Sequence, residues 1–261
     1  NDAWGGDFYD VPTDAALDYD TSNAVLGGNQ LVIDVQTHYV SDRSTATSTA
    51  KEAIIGLAES VAPDHFKGLS KLVKTQNQLG YSLAEYLRCV FLQSETSIAV
   101  LTSGPGAEDG DPRRNLNNSE MIGTRELIER LGGTGRLINH STVHPNVPGE
   151  IDKMGSWGKW CAPAGWKCYT MYGSEGVREA YCDTQAWMLD DGDCGNDFLS
   201  RIMKTPVRNL SVHKGISGGA DVGWHGPSSP RDIGPAAKRF PGINFLVYHS
   251  GYEPRQGNLE E

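Results

Sequence analysis

The sequence predicts an α/β protein whose parallel strands curl into a βα barrel. Three observations lead there. Six short apolar runs recur along the chain, and helical segments separate them. Each run ends in polar residues, the pattern of a barrel that keeps its chemistry at the strand C-termini. The competing doubly wound open sheet calls for a glycine-rich phosphate loop after its first strand, and DVQTHY contains no glycine.

Residues 1–30 are polar, acidic and rich in Gly and Asp, and read as an N-terminal arm. Residues 31–261 read as the barrel domain. LVIDVQTHYV (31–40) opens on Leu-Val-Ile, the apolar run of a strand buried on both faces. Alternation then puts Asp34, Gln36 and His38 on one face. Residues 50–60 and 82–92 read as helices, the second opening with Ser82 and Glu85 at capping-box spacing. TSIAVLTS (96–103) is the second strand. A helix over 119–131 turns Met121, Ile128 and Leu131 inward and stops at Gly132-Gly133. GRLINHSTVHPN (135–146) is the third strand running into a loop, and GWKCYTMYG (165–173) the fourth. Trp157, Trp160 and Trp166 cluster before the fourth strand, as a cover over the barrel mouth or as core. A helix starts near Asn196, with Asp190 and Asp191 capping it. LSVHKG (210–215) is the fifth strand, a short helix spans 232–240, and NFLVYHSG (244–251) is the sixth.

Composition narrows the function. The 261 residues carry 33 acidic and 23 basic side chains, a net charge of −10, which disfavours tracking nucleic-acid phosphates. No apolar run approaches membrane-spanning length. Five cysteines (Cys89, Cys161, Cys168, Cys182 and Cys194) without a CxxC spacing argue against a zinc ribbon and read mostly as free thiols. A Cys161–Cys168 or Cys182–Cys194 bridge is the alternative in an exported protein. The chain opens at Asn1 with no signal peptide to read. The expectation is therefore cytoplasmic, with export after leader removal as the alternative.

Three histidines stand at strand ends: His38, His213 and His249. Barrel strand ends converge, and imidazoles gathered there suit a divalent zinc, iron or manganese ion. Such an ion brings the pKa of bound water toward neutrality and supplies a nucleophile. A single histidine after a strand is usually an ordinary hydrogen-bonded group; the metal reading rests on the three taken together. Lys167 lies inside the fourth strand, where an amine pointing into a barrel is costly unless paired or modified. It either becomes a carbamate through carbon dioxide, pairs with Asp34, or binds an anionic substrate. His140 and His144 at the third strand, and His225 in the loop after the fifth, are candidate substrate contacts or plain loop groups. Glu253 reads as an exposed loop carboxylate.

The pieces LVIDVQTH, GWKCYT, WMLDDGDCGNDFLSRI, LSVHKG and NFLVYHSGYE, in that order over residues 31–253, resemble the amidohydrolase superfamily. The resemblance is to its amidohydrolase-related branch. That branch holds hydrolases and metal-dependent decarboxylases similar to aminocarboxymuconate-semialdehyde decarboxylase. The resemblance implies a (β/α)8 TIM-like barrel with strands one to six in this chain. It also implies Gln36, His38, Lys167, His213 and His249 as metal ligands, with Lys167, His213 and His249 catalytic. The family's HxH reads Gln36-Thr37-His38 here, so an amide replaces one imidazole. Strands seven and eight, and the aspartate that follows them, are not in this sequence, so a longer protein or a second chain is expected to complete the barrel. The function expected first is hydrolysis of an amide, ester or related carbonyl by a metal-activated water. The alternatives are a non-oxidative decarboxylase of a small carboxylic acid and a non-catalytic barrel subunit. The expected partners are a small-molecule substrate and a further copy in a homo-oligomer, with neither nucleic acid nor membrane.

Overall fold

The computed structural model describes residues 14, 18–26, 31–44, 82–104, 108–112, 114–170, 186–215 and 227–251. Six strands alternate with helices. Helix α1 (Tyr19–Leu26) precedes β1 (Val32–Thr37). Helix α2 (Leu83–Tyr86) runs into a π-helical turn, Leu87–Leu92, and then β2 (Thr96–Leu101). Helix α3 (Asn118–Arg130) leads to β3 (Leu137–Thr142), and α4 (Glu150–Trp160) to β4 (Gly165–Tyr169). Helix α5 (Cys194–Met203) precedes β5 (Asn209–His213). A 3₁₀ turn (Pro230–Asp232) and α6 (Ile233–Arg239) precede β6 (Asn244–Tyr248). The strands form one parallel sheet in the order β1-β2-β3-β4-β5-β6, curled into a half-barrel. This is the strand order of a partial TIM barrel, as the sequence predicts.

Local chemistry explains the helix ends. Ser82 Oγ accepts from the Glu85 amide at 3.3 Å, the cap expected from the spacing. At α3 the Asn117 amide donates to Glu120 Oε2 at 2.8 Å. The helix stops where Gly132 takes φ +89° and the Gly133 amide returns to the Ile128 carbonyl at 2.9 Å. Asp191 Oδ1 accepts the amides of Asp193 and Gly195 and so sets the start of α5 at Cys194, two residues before the expected Asn196.

Strand alternation sorts the side chains into two faces. Outward, Ala99, Leu101 and Leu137 pack with Met121 and Ile128 of α3. Trp166, Cys168, Leu210 and Val212 pack with Met154, Trp157, Phe198, Leu199 and Ile202 of the helix layer. Each fully buried aliphatic or aromatic side chain there contributes about 1.5–3 kcal/mol. Inward-facing positions include Gln36, His38, His140, Lys167, Tyr169, Ser211, His213 and Tyr248.

Several expectations are corrected. The stretch 150–160 is a helix, which the three-tryptophan reading overlooked. Trp157 and Trp166 are core residues on the outer face of the sheet, and Trp160 is 63% exposed at the end of α4, so these three tryptophans form no cover over the barrel mouth. Strands β3, β4 and β6 stop earlier than their apolar runs suggest. After β6 the chain turns at once, with His249, Ser250 and Gly251 all left-handed. Leu131 is exposed. Cys89, Cys161, Cys168 and Cys194 are free thiols, so the Cys161–Cys168 bridge is absent and Cys194 is unpaired. The helix expected over 50–60, and Cys182, lie outside the described residues. No described helix is long and apolar enough to cross a membrane.

Candidate metal centre

The first donor pair comes from β1. His38 Nδ1 lies 2.8 Å from the Thr102 carbonyl and 3.0 Å from Thr102 Oγ1. A carbonyl can only accept, so Nδ1 carries the proton and Nε2 presents its lone pair. Gln36 Nε2 lies 3.3 Å from that Nε2, which shows both side chains on one face as alternation predicts. An imidazole whose second nitrogen donates to a backbone carbonyl has the arrangement that metal-bound histidines use. His38 keeps a solvent-accessible side on the open part of the arc, but protein crowds the rest of the ring. Desolvation drives its pKa down to about 4. Its bond to Thr102 opposes this, and the nearby charges of Lys167 and His249 add to it.

The second pair joins β5 to the turn after β6. His213 Nδ1 and His249 Nε2 stand 3.1 Å apart, with the rings edge to face. His249 adopts φ +58° to do this, a left-handed conformation that histidine tolerates better than most residues. Two nitrogens sharing an ion at about 2.1 Å each adopt similar separations, whereas the 3.3 Å Gln36–His38 contact is made by the amide Nε2, so Gln36 would ligate only through its Oε1. Desolvation lowers the His249 pKa, with Lys167 adding to it. The donors available are thus three imidazoles and one amide, a set that suits a divalent transition ion. Among the described residues no three side chains of His, Cys, Asp and Glu gather closely enough to hold an ion, so an ion bound by both pairs would have to draw them together.

Lys167 occupies a different layer. The register of β4 and β5 sets Tyr169 opposite His213, and Lys167 opposite Ser211. Its Nζ is fully buried, 4.4 Å from the Tyr169 ring centre and 4.1 Å from that of Tyr248. Among the described residues it has no hydrogen-bond partner. The expected pairing with Asp34 is absent: Asp34 Oδ1 accepts the Gln36 amide at 3.1 Å. Burial brings the Lys167 pKa down to about 7. Cys168 points the other way, into the outer core, as alternation requires.

His140 is 4% exposed, and its Nδ1 lies 2.7 Å from Ser211 Oγ. It packs against Gly165, where a Cβ would come within 2.9 Å of its ring. His144 is buried at the end of β3, its ring stacked near Tyr169 at 6.5 Å. The rings of His144, Tyr169, His213 and His249 then follow one another along the strand ends. His225 and Glu253 lie outside the described residues. Tyr169, Ser211 and Tyr248 escaped the sequence reading; Tyr169 and Ser211 had a signal, each lying two residues from an assigned inward residue on its strand, whereas Tyr248 is next to His249 and alternation pointed it the other way.

Two buried ion pairs hold the loops around this rim. Arg114 contacts Glu150 Oε1 at 3.3 Å and the Thr142 carbonyl at 2.8 Å, while Glu150 accepts the His144 amide at 2.7 Å. Lys214 reaches Asp232 Oδ2 at 2.7 Å, the Pro227 carbonyl at 2.7 Å and Thr170 Oγ1 at 3.1 Å.

No family model and no curated protein matches the sequence. Solved structures do resemble the fold. A variant of 5-carboxyvanillate decarboxylase from Novosphingobium aromaticivorans DSM 12444, with bound manganese and 3-methoxy-4-hydroxy-5-nitrobenzoic acid, aligns with 85% of this chain and 67% of its own. The identity is 15% and the TM-score 0.51. A second structure of that enzyme, with the same metal and ligand, aligns over 85% and 66% at 15% identity and TM-score 0.50. A 2,6-dihydroxybenzoate decarboxylase from Rhizobium aligns over 85% and 67% at 12% identity and TM-score 0.43. The chain thus spans about two thirds of the length of these structures. At such identities the likeness to the two 5-carboxyvanillate decarboxylase structures establishes a shared barrel fold and no more.

Proposed function

We propose that this chain forms part of a metal-dependent decarboxylase that releases carbon dioxide from a small aromatic or enoic acid, using one divalent ion. The position of Lys167 carries this reading over the hydrolase expected first. A two-ion hydrolytic site needs an anionic bridge in the ion layer. Here Lys167 lies opposite Ser211, with its amine against two tyrosine rings. Gln36, His38, His213 and His249 would hold a single ion. When bound, that ion supplies positive charge that anchors the substrate's oxygens. His144 and Tyr169 are buried and stacked on one another at this end of the strands, where they back His213. The manganese and the nitrobenzoic acid bound by the 5-carboxyvanillate decarboxylase of the same fold support the choice.

The chemistry balances simply. The bond between the ring or vinyl carbon and the carboxyl carbon breaks, that carbon keeps the electron pair and takes a proton, and carbon dioxide leaves. A panel of hydroxybenzoic and enoic acids, with carbon dioxide release as the readout, tests it beside lactones and esters as the hydrolytic arm. Metal content per chain and the mass of the Lys167 peptide are measured on the same sample. One ion per chain, an unmodified Lys167 and carbon dioxide release are expected. Two ions, a carbamate on Lys167 and ester or lactone turnover would overturn the proposal in favour of hydrolysis. A folded chain that takes up no ion would instead support the non-catalytic reading, which Gln36 in place of an imidazole favours.

A further inference from the structure

The two donor pairs sit on opposite edges of an open arc, and among the described residues the hydrogen-bonded ladder joins β1 only to β2 and β6 only to β5. Yet one contact crosses between those edges. Tyr248, the last residue of β6, places its Oη 2.8 Å from the carbonyl oxygen of Val35 in β1. Val35 directly precedes Gln36, and Tyr248 directly precedes His249. The contact therefore joins the backbone just before one donor pair to the residue just before a member of the other.

The acceptor lies where β1 breaks step. Asp34 pairs with Ala99 and Thr37 with Leu101, so three steps along β1 match two along β2. Val35 and Gln36 occupy that irregular stretch, where a strand bends and its ladder is interrupted. The phenol satisfies a carbonyl at this break.

On the donor side the proton direction is fixed. The Val35 carbonyl can only accept, so the Tyr248 hydroxyl donates to it. Behind it, His140 Nδ1 and Ser211 Oγ lie 2.7 Å apart and tie β3 to β5. Lys167 Nζ rests 4.1 Å from the Tyr248 ring centre and holds it from the β4 side.

We propose that Tyr248 is a positioning residue: its hydrogen bond to Val35 sets the distance between the Gln36–His38 pair and the His213–His249 pair, and so tunes the affinity of the site for a divalent ion. This rests on the metal reading above.

Calorimetric titration with manganese(II) tests it. Wild type is expected to bind one ion. Tyr248→Phe keeps the ring over Lys167 and removes only the hydroxyl; it should bind one ion about tenfold more weakly, the range for losing an outer support of a metal ligand. Tyr86→Phe is the control for general loosening of β1, because Tyr86 Oη contacts Thr37 Oγ1 at 2.8 Å on the other face of that strand. It should bind within about twofold of wild type, because Thr37, although between Gln36 and His38 in the chain, faces away from both. Tyr248→Leu also removes the hydroxyl and should weaken binding at least as much, which keeps the test alive if Tyr248→Phe misfolds. In the same samples, amide exchange at Gln36 should quicken in Tyr248→Phe while that at Val212 does not. Equal affinities for wild type and Tyr248→Phe would overturn the positioning role with the metal reading intact. Equal weakening in Tyr248→Phe and Tyr86→Phe would do the same. Wild type that binds no manganese would remove the metal reading, and the positioning role with it.

Discussion

His213 Nδ1 and His249 Nε2 stand 3.1 Å apart, although 35 residues separate the two in the chain. The parallel pairing of β5 with β6, with His213 opposite Tyr248, makes this possible, and the left-handed turn at His249 swings its ring back toward β5.

Replacing His249 with Ala should therefore weaken manganese binding by more than about 100-fold, beyond the loss typical of an outer-shell change. The fold should survive, because His249 is only half-buried after the last described strand. Metal analysis and calorimetry on the dialysed variant check this; retention of wild-type affinity would remove His249 from the donor set.

Gly165→Ala should destabilise the protein by about 1–3 kcal/mol, as overpacking does. The new Cβ would lie 2.9 Å from the His140 ring and push it off Ser211. The double variant Gly165→Ala/His140→Ala relieves the clash, so its denaturant midpoint should exceed the value obtained by adding the two single losses.

Lys214→Met leaves Asp232 buried and without its cation, which costs about 3–5 kcal/mol. Adding Asp232→Leu should recover much of that loss, because a buried pair replaced by apolar groups is close to neutral. Urea unfolding of the three variants measures both steps.

Acid should weaken the fold between about pH 6.5 and pH 4. Desolvation holds His140 down to about 4 and His144 down to about 3, the latter with help from Arg114. Both take a proton near 6.5 once unfolded. Above pH 6.5 neither state binds that proton, and stability is intact. As pH falls below 6.5 the unfolded chain is protonated and the folded one is not, so stability drops. The loss from His140 alone reaches roughly 3 kcal/mol by pH 4. Thermal melts across this range should show a shallower slope for His140→Asn than for wild type.

Gln36 and His38 were readable as a same-face pair because a strand has a period of two and nothing else is needed to place them. The same rule placed Cys168 away from Lys167. It failed for the stretch 150–160, because Trp157 and Trp160 drew attention to bulk while Ile151 and Met154 supplied a helical spacing that went unused. It also failed for the end of β6, because no periodicity announces the left-handed turn that begins at His249.

Periodicity and run length, both local properties of a polymer, were enough to read parallel strands, helices between them and polar residues at the strand ends. Register between strands is not local, and register decided the chemistry. It put Tyr169 rather than Lys167 opposite His213, left the Lys167 amine between two phenol rings, and brought Tyr248 across to Val35. One step of slip between neighbouring strands exchanges the inward and outward faces, so only the packed arc, with every strand held against the next, could choose among these arrangements.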